Sequence, residues 1–217
     1  MPVGFESAEP AKDNFKPYTV YRKWRKICIY FPGYCSRFGE NNLIETIKEN
    51  DEVLYPKERI VTVAAPDLDA LKQMAKLNPR HRIRLCAHQT AKDEIHEMII
   101  YHPKGTYVQP HKHIGKDESF YLICGEIDFV IFDNQSNVKR VFPMGDYSSG
   151  KIFYYRIPAN TYHTQIFKKD TFFHEVTKGP FDRNDTLTAS WAPDEKETAV
   201  VKSYINEISQ IIKSINS

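Results

Sequence analysis

At 217 residues the chain can bury a sizeable core, as one domain with an elaborate terminus or as a domain and a half. Its 30 basic and 28 acidic residues leave a net charge of +2, which provides neither the basic field that attracts nucleic acid nor a cationic face for a membrane surface. No apolar run is long enough to span a bilayer, and Cys28, Cys35, Cys86 and Cys124 show no C-x2-C spacing, so a cytoplasmic protein with free thiols is expected.

Met1 to Asp13 is polar and acidic, carries Pro2 and Pro10, and lacks the apolar centre of a signal peptide. A Tyr- and Arg-rich stretch then leads to the apolar run Ile27 to Phe31, which Pro32-Gly33 closes as a strand followed by a turn. Cys28 and Cys35 flank that turn, where they either stay free or pair or share a metal. Asn42 to Glu49 reads as one or two helical turns. Asp67 is placed to N-cap a helix through Lys76, with Leu68, Leu71 and Leu77 on one side.

From Ile95 to Thr177 the pattern changes to short strands separated by turn signals: Ile95 to Tyr101, Thr106 to His111, Phe120 to Cys124, Ile127 to Phe132, Val138 to Phe142, Phe153 to Ile157, His163 to Phe167 and Phe172 to Val176. Asp133-Asn134-Gln135-Ser136-Asn137 is a hairpin loop. Strands of this length and spacing predict an all-β sandwich or barrel. The tail carries Val200, Val201, Tyr204, Ile205, Ile208, Ile211, Ile212 and Ile215 at helical spacing, and that broad apolar face needs a partner, either its own barrel or a second subunit.

The chemistry concentrates in Gly105 to Gly125. On a strand, His111 and His113 point to the same face, because side chains alternate with period two. Glu118 opens the next apolar run, so its carboxylate can reach the same centre, and His163 stands at the start of a later strand after a Pro158-led turn. Three imidazoles and a carboxylate suit Fe(II), Mn(II), Co(II), Ni(II) or Zn(II) better than Ca(II) or Mg(II), which prefer oxygen alone. The other reading is a set of satisfied polar residues in a barrel that has lost its metal.

Further candidates surround this set. Arg80, Arg82 and Arg84 alternate, so on a strand they either clamp a phosphate or carboxylate or form a charged, solvated edge. Tyrosines 101, 107, 121, 154, 155 and 162 either stack on a sugar or are simply core. His174, on a strand beside the site, either supports a metal ligand or faces solvent.

Gly105, His111, His113, Glu118 and Gly125 together match the first cupin motif, G-x5-H-x-H-x4-E-x6-G, without a gap. The second motif is met in part: Pro158 and His163 fit, Asn160 stands for a turn glycine, Phe167 stands for the terminal asparagine, and Gly150 lies two residues early. Asn is a mild replacement there, since it tolerates positive φ better than most residues. Within the cupins the chain resembles the WbuC family of small metalloproteins, often encoded with genes for O-antigen and other surface polysaccharides. The resemblance runs from Asp67-Leu68-Asp69-Ala70-Leu71 through Arg80-His81-Arg82-Ile83-Arg84 and the cupin core to Phe173-His174-Glu175-Val176-Thr177-Lys178-Gly179-Pro180-Phe181-Asp182 and Trp191-Ala192-Pro193. Cys86 departs from it, standing where an asparagine is expected before the family's histidine, here His88.

The resemblance implies a mainly β fold, a cupin jelly-roll β-barrel with an N-terminal α/β extension and a C-terminal α-helix. It divides the chain into an extension over 1–66, a WbuC-like cupin domain over 67–194 and an amphipathic helix over 195–217. It implies one divalent transition metal, Fe, Mn, Zn, Ni or Co, on His111, His113, Glu118 and His163. Glu118 and Tyr121 become candidate proton-moving groups, and Arg80, Arg82, Arg84, His88, Tyr107, His174, Glu175 and Lys178 candidate ligand contacts. For Glu175 and Lys178 a plain cross-strand ion pair is the alternative. The expected partner is a saccharide or nucleotide-sugar in surface polysaccharide synthesis, with no nucleic acid or membrane contact and a homodimeric assembly. Metal-dependent isomerisation or epimerisation is the leading activity, beside Fe(II)-dependent oxygenation and a non-catalytic binding or scaffold role.

Overall fold

The computed structural model describes residues 43–215, so the strand expected over Ile27 to Phe31 and the Cys28–Cys35 pair lie outside the described residues. Alternating sequence in this region has folded into two sheets. The first has seven strands in the order β1 (Thr46–Lys48), β2 (Val53–Pro56), β3 (Ile83–Cys86), β4 (Ile95–His102), β11 (Thr171–Lys178), β6 (Glu118–Cys124) and β9 (Tyr154–Ile157). The second has five, in the order β12 (Thr186–Thr188), β5 (His111–His113), β10 (His163–Phe167), β7 (Glu126–Phe132) and β8 (Val138–Gly145). All pairs are antiparallel except β2 with β3.

Chain order and sheet order interleave, as in a double-sheet jelly roll. The mainly β class therefore holds, with one correction: the sheets do not close into a barrel. Among the described residues only the isolated Met144–Ile152 bridge links β8 to the segment leading into β9, so two facing sheets remain.

Period-two alternation puts one face of each sheet inside. Met98, Ile100, Phe120, Leu122 and Phe173 from the first sheet meet Ile127, Phe129, Met144 and Phe167 from the second, each contributing roughly 1.5–3 kcal/mol by leaving water. Phe129 stacks on Tyr155 with ring centroids 3.8 Å apart, and Phe120 on Phe173 at 4.4 Å. The outer face of the first sheet packs Leu54, Ile83, Leu85, Tyr101 and Phe172 against Leu71 and Ala75 of helix α1 (Ala65–Ala75). The outer face of the second packs Val130 and Phe132 against Ile208 and Ile212 of helix α2 (Thr198–Ile215). The tail's apolar face has thus found its partner in its own sheet.

Four sequence expectations change. Asn42 to Glu49 holds no helical turn among the described residues but forms β1, because Thr46, Ile47 and Lys48 complete a ladder with β2, and pairing overrides weak local propensity. Asp67 is not the cap residue of α1 but lies in its first turn, where it accepts the Ala64 N–H at 2.7 Å and the Ile44 N–H at 2.8 Å. Leu77 falls beyond the helix and is exposed, leaving Leu71 buried and Leu68 partly so. The strand expected over Thr106 to His111 is reduced to His111–His113, since Pro110 has no N–H for a ladder.

Gly125 shows why its motif demands glycine. Its φ is +114°, and an added Cβ would lie 2.6 Å from the Asp170 carbonyl oxygen and 2.8 Å from Thr171 Cα. Asn160 takes φ +64° in the turn before β10, the conformation its glycine counterpart would supply. Among the described residues no helix is long and apolar enough to cross a membrane.

Candidate metal centre

The two sheets bring the four motif residues to one end of the sandwich. His111 and His113 project from the same face of β5, and His163, first residue of β10, stands in register with His111. Glu118, first residue of β6, reaches across from the opposite sheet. One donor atom from each of the four lies within 4.8 Å of the others.

The rings are aimed by their outer nitrogens. His111 Nδ1 lies 3.0 Å from the Gln109 carbonyl and His163 Nδ1 2.9 Å from the Thr161 carbonyl, so each Nδ1–H donates outward and Nε2 is left as a lone-pair donor toward the centre. His113 Nδ1 faces Thr186 Oγ1 of the adjacent β12 at 3.2 Å. Glu118 Oε2 is 3.0 Å from His113 Nε2 and 3.5 Å from His163 Nε2. Its Oε1 accepts the Tyr155 hydroxyl at 2.8 Å, and Tyr155 in turn accepts Gln165 Nε2 at 2.9 Å.

Electrostatics agree with a prepared donor set. Burial pushes His111 down to about 3, helped by the neighbouring His163, so its imidazole is neutral at physiological pH. Burial also works against charge on His163 and on Glu118, but their mutual attraction outweighs it, holding His163 above and Glu118 well below its ordinary range. Burial and the Glu118 charge push the Tyr155 phenol well above its ordinary value, so it stays a protonated donor and no tyrosinate forms there. His163 Nε2, fully buried, has no hydrogen-bond partner among the described residues. Three imidazole nitrogens, one ionised carboxylate and a buried His163 Nε2 without a hydrogen-bond partner among the described residues form a donor set that fits a divalent transition metal.

The cluster opens into a cavity of about 280 Å³. Arg80, Arg82, Arg84 and Glu175 of the sequence candidates line it, together with Glu52, His102, Gln165 and Phe181. The three arginines do not share one strand face: β3 begins at Ile83, Arg82 is buried ahead of it, and Arg80 is exposed. Arg80 forks onto Glu195 at 3.1 and 2.8 Å and meets Glu52 at 3.0 Å, while Arg82 pairs with Glu195.

The remaining candidates do not line the cavity. Tyr121 is half-exposed on the face of β6 opposite Glu118, Phe120 and Leu122, edge-on to Phe153. Tyr107 is buried, its hydroxyl bonded to the Pro193 carbonyl at 2.8 Å. His88 stacks on His96 at 4.0 Å and bonds the Glu97 backbone. His174 alternates outward between Phe173 and Glu175, its Nε2 3.9 Å from a Glu97 carboxylate oxygen, and Lys178 is exposed in a separate surface groove. Period two carried a usable signal for Gln165, which shares a strand face with His163. It could not say which of Tyr154 and Tyr155 turned inward.

Fold and donor set together define a double-sheet jelly-roll protein with a candidate metal centre. A protein-family profile described as a domain of unknown function, DUF6016, matches residues 63–144, well under half of the chain and inclusive of His111, His113 and Glu118. Among solved structures the chain is similar to oxalate decarboxylase from Bacillus subtilis at pH 4.6, with 18% identity over 59% of this chain and 34% of that one, TM-score 0.40. It is similar also to the formate complex of Lactobacillus farciminis oxalate decarboxylase, with 21% identity over 44% of this chain and 27% of that one, TM-score 0.35. A conserved protein of unknown function from Streptococcus pyogenes aligns with 10% identity over 48% of this chain and 80% of its own, TM-score 0.37. The chain thus spans only about a third or less of the oxalate decarboxylase chains. A search of curated protein sequences returned no match.

Proposed function

We propose that this chain is a divalent-metal cupin that takes a small, hydroxyl-rich, saccharide-type ligand into the cavity beside His111, His113, Glu118 and His163. The observation that carries the reading is the convergence of those four side chains beside a charged, monosaccharide-scale cavity that His111, His113 and Glu118 line. At about 280 Å³ the cavity lies just below the roughly 300–1,000 Å³ typical of drug-sized ligands, which favours a single sugar over a whole nucleotide-sugar. The WbuC resemblance of the motif region is what supplies the surface-polysaccharide setting.

A divalent ion held there would act as a Lewis acid on neighbouring ligand oxygens. The chain's own residues supply the rest. Tyr155 and Gln165 fix the Glu118 carboxylate in its ionised, inward orientation. Burial and the nearby Glu118 raise Glu175 to about 7, so this cavity-lining carboxyl exchanges a proton near neutrality, as an acid–base group for isomerisation or epimerisation must. In that role it replaces Tyr121, which faces away.

The test is elemental analysis of the full chain purified without affinity tag or chelator, beside His113→Ala. Near-stoichiometric transition metal in the parent, lost in the variant, is the expected result; no metal in either overturns the proposal. Iron would turn the reading toward oxygen chemistry, whereas manganese, zinc, nickel or cobalt would support Lewis-acid or binding roles.

A further inference from the structure

Charge within the cavity is unevenly matched. Arg80 and Arg82 are occupied by Glu52 and Glu195, two cations against two carboxylates. Arg84 differs: it lines the same cavity, meets no carboxylate within ion-pair distance among the described residues, and has Met98 Sδ, at 3.7 Å, as its hydrogen-bond partner. Its position follows from β3, where Ile83 and Leu85 pack toward α1 and Arg84 turns to the inner side with Cys86. Its charge is felt by two other lining groups: it adds to the burial that lowers His102, and it partly offsets the rise that burial and Glu118 impose on Glu175.

The tally with a divalent ion in place is positive. The imidazoles are neutral donors and Glu118 cancels one of the two metal charges. Arg84 adds another positive charge, and only Glu175 stands against the sum. A neutral polyol would leave that imbalance uncompensated, whereas an anion would neutralise it and accept hydrogen bonds from the exposed guanidinium fork of Arg84.

We propose that the ligand is anionic, a sugar acid or sugar phosphate whose charged group docks on Arg84 while its hydroxyl oxygens face the His111, His113, Glu118 and His163 cluster. This rests on the metal-binding reading above. Arg84 is then the specificity-determining contact of the cavity, and Arg80 and Arg82 form its wall.

The experiment uses the full chain loaded with Mn(II) and freed of excess ion, titrated calorimetrically with D-gluconate, glucose 6-phosphate and the neutral polyol D-glucitol. At least one anion should bind about tenfold or more tightly than glucitol, and Arg84→Gln should remove that preference. Arg84→Lys should retain part of it, showing that charge rather than a damaged strand is responsible. A preference for gluconate alone identifies a carboxylate ligand, and for glucose 6-phosphate alone a phosphate. Equal binding of all three, no binding of any, or a preference that survives in Arg84→Gln overturns the inference. Metal content of the same samples separates the two readings. Protein that holds no Mn(II) refutes the metal centre, whereas Mn(II)-loaded protein without anion preference refutes only the role of Arg84.

Discussion

Replacing Tyr155 with phenylalanine removes one oxygen atom from the centre and little else. The ring is kept, and with it the stacking on Phe129 and Phe120 at 3.8 and 4.9 Å. What is lost is the 2.8 Å hydrogen bond to Glu118 Oε1 and the acceptor for Gln165 at 2.9 Å. A hydrogen bond to an ionised group contributes about 1.5–3 kcal/mol, and 1.4 kcal/mol is a factor of ten in an equilibrium constant. If Glu118 is a metal ligand, Tyr155→Phe should therefore weaken metal affinity about 10- to 100-fold, the range found when groups that orient ligands are removed. Competition against a chromophoric chelator measures it, with circular dichroism to confirm that the fold persists. Affinity within about twofold of the parent, in a folded variant, would refute the claim that this phenol orients the carboxylate.

Two other outcomes are expected. Glu175 has a folded-state value of about 7 against an ordinary 4.5, so the folded protein binds its proton more tightly; the resulting stability is complete below pH 4.5 and lost as pH rises through 7. Urea unfolding of metal-free protein at pH 5 and pH 8 should show Glu175→Gln stabilising relative to parent more at the higher pH, and an equal effect at both would remove the basis for its acid–base role. Gly125→Ala combines positive φ with a Cβ 2.6 Å from a backbone oxygen, so it should lower stability by about 2 kcal/mol or more in thermal or urea unfolding, and a neutral result would show that the β6–β7 turn yields.

Period-two alternation and motif spacing were enough to place His111 and His113 on one face, to set most strand limits within a residue or two, and to predict the mainly β class. These are local properties: an exposed-buried rhythm and a turn residue act over a few positions, so they are legible in a linear string. The Glu118 and His163 assignments came from spacing, and the structure brings both to the centre because β6 and β10 begin at the same end of the two sheets.

Other features depended on pairings that cross the fold. Whether Tyr154 or Tyr155 turned inward was set by the register of β9 on β6, where Tyr155 lies opposite Phe120. Arg80, Arg82 and Arg84 look equivalent in sequence, yet two are held by Glu195, more than a hundred positions later, and the third is left facing the cavity. Among the described residues the sandwich stays open because β8 and the segment leading into β9 meet only at Met144–Ile152, and α2 covers its own sheet because Val130 and Phe132 present it with an apolar face. Short-range alternation and turn chemistry thus determined the elements and the donor residues, while long-range register and charge pairing decided which side chains share the cavity, since those contacts exist only once distant segments have been brought together.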